Sequence, residues 1–211
     1  MKKLLCLLLS LSFVLFSFAA CSDNKNNPVD DNTPVNNQTT DAVVEDYGTH
    51  HVEMVIKDYG TIKIELYGDE APITVKNFIE LAESGFYDGI GFHRYVEDFV
   101  LQGGDPDGDG RGGSDKAIKG EFAINGVQNN IAHKRGVISM ARTPNDYNSA
   151  TSQFFICLND MTASGLDRQY AAFGMITEGM DIIDKICAET PVSDSIPEAQ
   201  RPVIETIKVI D

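Results

Sequence analysis

Basic residues are scarce in this chain: 17 lysines and arginines face 32 aspartates and glutamates, for a net charge of −15 at neutral pH. A surface of that sign repels a phosphate backbone, which excludes nucleic acid as a partner. Cysteine is equally thin. Of four, only Cys157 and Cys187 lie beyond residue 50, too few for the disulfide framework on which many small secreted domains rest. A single bridge between these two stays open on sequence grounds, although Cys157 in its apolar run reads more simply as a small buried hydrophobe. No HExxH, CxxC, phosphate-loop or GxSxG pattern occurs, so metalloprotease, thiol redox, nucleotide-dependent and serine hydrolase chemistry lose their usual support. There is no internal repeat. The apolar run at 4–18 is shorter than the roughly 20 residues a membrane-crossing helix needs.

That run has another reading. Lys2 and Lys3 precede it, and Ala19 and Ala20 supply small residues before Cys21, the layout of a secretory signal over residues 1–20. A signal that ends at cysteine resembles the bacterial lipobox, in which the thiol is acylated and becomes the mature N-terminus; Phe18 departs from the usual aliphatic residue there. Lipidation at Cys21 is the expectation, and ordinary secretion after cleavage nearby is the alternative. Residues 21–50 then form a spacer rich in Asn, Asp and Thr, with Pro28 and Pro34, too polar and aperiodic to bury a core. Flexible chain of that length reaches on the order of 30 Å, enough to hold a domain clear of a bilayer. The expected location is the cell envelope, lipid-anchored, at an outer membrane facing the periplasm or the cell surface.

Residues 51–211 are long enough for one sizeable core and too short for two ordinary domains. Val52, Met54 and Ile56, then Ile62, Ile64 and Leu66, alternate with polar residues on either side of Asp58-Tyr59-Gly60, which predicts a hairpin. Further strand runs fall at 136–140, 154–158, 171–176 and 203–210. Helical spacing appears twice. Val75, Phe78, Ile79 and Ala82 follow Pro72 and stop at Gly85, while Met180, Ile183, Ile186 and Cys187 follow Gly179. Many short strands with two helices suit a closed antiparallel barrel capped at its ends, because closure removes exposed strand edges.

The densest cluster of chemistry is Phe92-His93-Arg94, then Phe99-Val100-Leu101-Gln102, closed by Gly103-Gly104-Asp105: one fixed cation, one amide and several apolar side chains. About fifty residues on, Ser139-Met140-Ala141-Arg142 and Ser152-Gln153-Phe154-Phe155-Ile156 repeat the mixture. With His133-Lys134-Arg135-Gly136 and Ala172-Phe173-Gly174, these motifs resemble, in order and over nearly all of 51–211, the cyclophilin family of peptidyl-prolyl cis/trans isomerases. The resemblance implies a mainly β fold, a closed eight-stranded antiparallel barrel capped by two α-helices. It implies no cofactor and no metal, a domain that is monomeric, and as partners the proline-containing segments of exported proteins. The alternative is a binding module that holds such segments without turnover; keeping Arg94 partly desolvated without using its charge would then be costly.

Rotation about an Xaa-Pro bond passes through a twisted amide over a barrier of about 20 kcal/mol. A catalyst needs no nucleophile. It needs an apolar socket for the ring, anchors for the flanking backbone, and a donor that favours the twisted form, whose imide nitrogen regains its lone pair. Arginine suits the donor role because it stays charged and presents several N–H groups from a rigid plane. Carried over by resemblance, Arg94 is the catalytic arginine, Gln102 the amide that orients it, and Phe99 stands with them. Val100, Phe155 and Leu166 complete the proline pocket; Ala141 and Arg142 offer backbone to the extended substrate; Gln153 sits on the rim and Tyr170 at the pocket edge. His93 is expected to hydrogen bond within the barrel.

Four positions depart from the family pattern. Val100 stands where many members carry methionine, Arg142 where many carry asparagine, and Tyr170 where many carry histidine. Gly165 replaces a tryptophan common in eukaryotic members, which puts tight cyclosporin binding in doubt; the chain has no Trp at all. One further motif is set aside. Asp105-Pro106-Asp107-Gly108-Asp109-Gly110 matches the first half of an EF-hand loop, but the twelfth position is Lys116 in place of the bidentate glutamate, and the segment reads better as a long surface loop.

Overall fold

The computed structural model describes residues 47–211; the expected signal, the expected lipidation at Cys21 and the expected spacer up to residue 46 lie outside them. The alternating runs fold as expected into a hairpin of β1 (Thr49–Ile56) and β2 (Gly60–Tyr67), whose even positions Val52, Met54, Ile56, Ile62, Ile64 and Leu66 are buried together. Strand β1 starts at Thr49, so Thr49 and His50, counted with the spacer by sequence, belong to the first strand. Six more strands follow: β3 (Arg94–Val96), β4 (Val100–Gly103), β5 (Val137–Met140), β6 (Phe154–Cys157), β7 (Ala172–Glu178) and β8 (Ile204–Val209). They form one antiparallel sheet in the order β3-β4-β6-β5-β7-β2-β1-β8.

Closure differs from the expectation. The ladder runs from β3 to β8, and among the described residues no strand pairing joins those two edges. The seam is instead spanned by single backbone bonds, Gly89 N–H to Ile204 C=O at 2.8 Å, Ile204 N–H to Ile90 C=O at 2.9 Å and Phe92 N–H to Pro202 C=O at 2.8 Å. The protein is therefore a mainly β fold with a strongly curled sheet.

Both expected helices are present, α1 (Pro72–Glu83) and, as the third helix in chain order, α3 (Met180–Glu189). Between them lies a single-turn helix that periodicity did not announce, α2 (Asp160–Ala163), whose N-cap Asn159 accepts from Met161 N–H at 2.9 Å. Helix α1 has no cap of its own at Ala71. Buried Glu121 supplies it from a distant loop, accepting Ile73 N–H at 3.0 Å, Thr74 N–H at 2.8 Å and the Thr74 hydroxyl at 2.7 Å. A carboxylate at that end also complements the helix dipole.

Apolar side chains separate into two clusters on opposite faces of the sheet. The larger, inside the curl, gathers Phe78, Tyr87, Phe92, Leu101, Ile138, Met140, Phe154, Ile156 and Phe173 with the β1–β2 hairpin. The smaller sits on the outer face of β4, β6, β5 and β7 and consists of Val100, Val137, Phe155, Cys157 and Ala172, covered by Phe99, Ile131, Ala141, Leu166 and Tyr170. Successive residues of a strand point to opposite faces, so β5 and β6, buried at every position, must be covered twice. The unbroken apolar run of β6, and that of β5 apart from buried Ser139, have that cause.

Candidate active site

The outer-face cluster is where the singled-out residues meet. Arg94 of β3 pairs across the sheet with Gln102 of β4, Gln102 with Phe155 of β6, Phe155 with Ser139 of β5, and Ser139 with Ala172 of β7. One row of cross-strand neighbours thus carries a cation, an amide, an aromatic ring and a hydroxyl on the same face. Above it opens a cavity of about 250 Å³ lined by Arg94, Phe99, Val100, Gln102, Ala141, Arg142, Phe155, Leu166 and Tyr170. Of the ten residues named from sequence, only Gln153 is missing from this lining. It borders the adjoining cavity of about 420 Å³, which shares Gln102, Ala141 and Arg142 and is walled by Arg111, Thr143, Pro144 and Thr151. A larger concavity of about 810 Å³ lies elsewhere, around Tyr59, Glu189 and Arg201, and brings none of these residues together.

Polar groups at the rim form a chain. Arg94 Nη1 donates to Gln102 Oε1 at 3.3 Å, Gln102 Nε2 donates to Gln153 Oε1 at 2.9 Å, and Gln153 Nε2 donates to the Gly112 carbonyl at 2.8 Å. Each amide therefore has one orientation that satisfies both of its ends. On its other side Arg94 Nε donates to Asp194 at 2.8 Å, a residue with no motif around it. The backbone offered to a substrate is narrower than expected. Ala141 N–H is already donated to the Gln153 carbonyl at 2.9 Å, which stitches the two cavity-bearing segments together.

Arg142 also acts through more than its backbone. Its guanidinium lies over Tyr170, Tyr147 and Phe122 at 4.5, 4.9 and 5.4 Å from their centroids and donates to the carbonyls of Gln169, Thr143 and Pro144. It is the wall between the cavities, held by cation–π attraction and hydrogen bonds.

The floor has support that sequence reasoning passed over, although His133 lies in a quoted motif. Its ring stacks on Phe155 at 6.2 Å and 20°. Nδ1 lies 2.9 Å from Asp167 Oδ1 and Nε2 lies 3.0 Å from Ser139 Oγ. A carboxylate only accepts, so Nδ1 carries the proton and Nε2 accepts from the serine hydroxyl. Burial holds the His133 pKa below its ordinary value, against the opposing pull of Asp167. Tyr170 meets Phe155 edge-on at 5.8 Å, which closes the ring in on a second side.

His93 corrects an expectation. It is buried, but neither ring nitrogen has a hydrogen-bond partner among the described residues; only its main chain is bonded, N–H to Gln102 C=O at 3.0 Å and C=O from Ile196 N–H at 2.7 Å. Burial again depresses its pKa, with Asp105 opposing and Arg201 and Arg94 reinforcing the shift. Cys157 and Cys187 are free thiols, and burial raises Cys157 to about 12. In the acidic loop, Asp105 accepts Asp107 N–H at 2.9 Å and Gly110 N–H at 2.6 Å, so its carboxylate already serves the turn.

Comparison with known proteins places this geometry in context. The sequence profile of the family described as "Cyclophilin type peptidyl-prolyl cis-trans isomerase/CLD" matches residues 51–209. The chain is similar to the peptidyl-prolyl cis-trans isomerase-like 1 protein of Rhizopus delemar, with 39% identity over 70% of this chain and 87% of the relative. It is similar to a peptidyl-prolyl cis-trans isomerase of Helicobacter pylori, with 46% identity over 58% of this chain and 72% of the relative. Among solved structures, a cyclophilin-type isomerase of Cryptosporidium parvum superposes with a TM-score of 0.68 at 28% identity, covering 77% of this chain and 98% of that one. A second structure of that protein, solved in the presence of the dipeptide Ala-Pro, matches at the same TM-score of 0.68.

Proposed function

The chain belongs to the cyclophilin-type peptidyl-prolyl cis/trans isomerases, and we propose that the cavity floored by Phe155 is the place where it binds proline and turns the preceding bond. The observation that carries this is the convergence of four separated sequence segments on one cavity of about 250 Å³ with Arg94 at its polar edge. That volume falls below the roughly 300 Å³ at which pockets for drug-sized ligands begin, and it suits one small ring with part of a flank.

In this reading Phe99, Val100, Phe155, Leu166 and Tyr170 hold the ring while the preceding residue lies along Ala141 and Arg142, whose remaining backbone groups face it. Twisting the bond removes amide resonance, and the imide nitrogen becomes a hydrogen-bond acceptor that it was not in the planar ground state. Arg94 N–H groups donate to it at that moment. The interaction exists only in the twisted form, which is the requirement for raising turnover and not merely affinity. Each factor of ten in rate needs about 1.4 kcal/mol, the scale of one well-placed charge-assisted bond. Gln102 keeps the guanidinium in register, and Gln153 keeps Gln102.

The test is the cis-to-trans relaxation rate of a short Xaa-Pro peptide with the full chain and with Arg94→Ala. Catalysis that collapses in the variant while its circular dichroism stays native supports the assignment. A folded variant with undiminished rate removes Arg94 from the donor role.

The cellular setting is part of the same proposal. A lipid on Cys21 and the polar spacer would hold a monomeric domain near an envelope membrane, where its substrates are exported proteins in the course of folding. Labelling with a radioactive fatty acid, abolished by Cys21→Ser, tests the anchor; unlabelled wild-type protein in the soluble fraction would sink it.

A further inference from the structure

Arg94 is held from two sides, and only one of them was legible in the motifs. Gln102 Oε1 takes one N–H of Nη1 at 3.3 Å, and Asp194 Oδ1 takes the N–H of Nε at 2.8 Å. An exposed aspartate beside an arginine is in general a weak contact, because water and salt screen it and two flexible side chains must be ordered. Here the backbone that carries the aspartate is fixed. Tyr95 and Ser193 exchange both main-chain hydrogen bonds at 2.9 Å, and Ile196 N–H donates to His93 C=O at 2.7 Å. The segment 193–196 therefore lies along β3 on the side opposite β4, as a short extra edge of the sheet.

Two further ties secure its far end. Ile196 is fully buried, and its carbonyl accepts Arg201 Nε at 2.8 Å, while Arg201 Nη2 reaches across to the Gly108 carbonyl at 2.8 Å. Asp194 is thus bracketed between two anchored residues one and two positions away, directly beside Arg94.

From this geometry we propose that Asp194 is a positioning residue for Arg94, and that segment 193–196 exists in part to deliver it. The inference rests on the assignment of Arg94 as the donor to the twisted bond. A guanidinium is planar and carries five N–H groups in fixed directions. Once Nε and one hydrogen of Nη1 are committed, the plane is set and three N–H groups remain for the cavity. The orientation is then established before substrate arrives, and the ordering of a long side chain is not charged to the transition state. Asp194 is not itself a lining residue of the cavity and meets it only through Arg94.

The experiment uses the full chain with Asp194→Ala and Asp194→Asn, each in the wild-type and in the Arg94→Ala background, with kcat and KM measured separately on an Ala-Pro peptide. Loss of one ion pair whose aspartate is exposed corresponds to about a two- to fivefold fall. Asp194→Ala is expected to show that fall in kcat, with KM and Tm nearly unchanged. Asp194→Asn, which keeps an oxygen acceptor, recovers most of it. In the Arg94→Ala background the aspartate substitution adds nothing. Full activity of a folded Asp194→Ala protein beside an impaired Arg94→Ala protein overturns the inference, and so does an equal loss in both backgrounds. Undiminished activity of Arg94→Ala itself overturns the reading of Arg94, a different failure that the paired variants separate from the first.

Discussion

Two adjacent phenylalanines on β6 should answer mutation in opposite ways. Phe154 points into the curl, where it is fully buried and meets Phe78, Tyr87 and Phe92 edge-on at 5.6, 5.7 and 6.2 Å. Phe155 points outward, where it stacks on His133, meets Tyr170, belongs to the smaller apolar cluster and lines the cavity. Replacing Phe154 by leucine removes three aromatic contacts and leaves a void in close-packed surroundings. The expected cost is about 2–4 kcal/mol, and at this domain size each kcal/mol lowers Tm by about 2–4 °C. Phe155→Leu loses fewer aromatic contacts, and the ring lines a cavity that already interrupts its packing; about 1–2 kcal/mol is expected. Activity should invert the order. Removing the ring platform for proline costs about tenfold in kcat/KM, or 1.4 kcal/mol of transition-state binding, whereas Phe154→Leu stays within about twofold once it is assayed well below its Tm. Urea unfolding and peptide relaxation at one temperature measure both quantities. Equal activity losses for two equally folded variants would show that the outer face is not the binding face.

Acidification should weaken the fold through its buried histidines. His93 and His133 both have folded pKa values below the ordinary 6.5, so the unfolded chain binds more protons. Stability is full above pH 6.5 and falls as pH drops from there toward the folded values, by up to about 1.4 kcal/mol per pH unit per group; urea midpoints at pH 7.5 and 5.5 that coincide would refute this. Arg142→Asn gives up contact with three rings and three carbonyls and should lower stability by about 1–2 kcal/mol, read as a Tm drop with a looser cavity wall. Gly104 has φ of +82°, and a Cβ there would lie 2.5 Å from the Ser152 carbonyl oxygen. Gly104→Ala should therefore cost about 2 kcal/mol or more, and a variant with wild-type Tm would contradict the tightness of that approach.

How far the sequence led depended on which kind of constraint each residue obeys. The β1–β2 hairpin was legible because one-sided burial imposes strict alternation, and both long helices because Pro72, Gly85 and Gly179 mark their ends. Strands β3 and β4, three and four residues long, are too short to show a period, and they are defined by whom they pair with. The same limit hid the open ladder between β3 and β8, since single seam bonds at Gly89 and Phe92 leave no pattern in composition.

At the candidate site the division is sharper. Residues set by chemistry, Arg94, Gln102 and Phe155, announce themselves by type and spacing, and the register explains why they meet: they occupy one cross-strand row. Residues that hold them do not announce themselves. Asp194 is one acid among 32 Asp and Glu residues, and only the pairing of Ser193 with Tyr95 makes it different from the others. His133 could be found in a motif but not assigned, because its role depends on Ser139 and Asp167 arriving from either side. His93 inverts the lesson. Its place in a motif suggested a hydrogen-bonding role, yet among the described residues neither ring nitrogen has a partner, and burial, which sequence does not show, holds its pKa below the ordinary value.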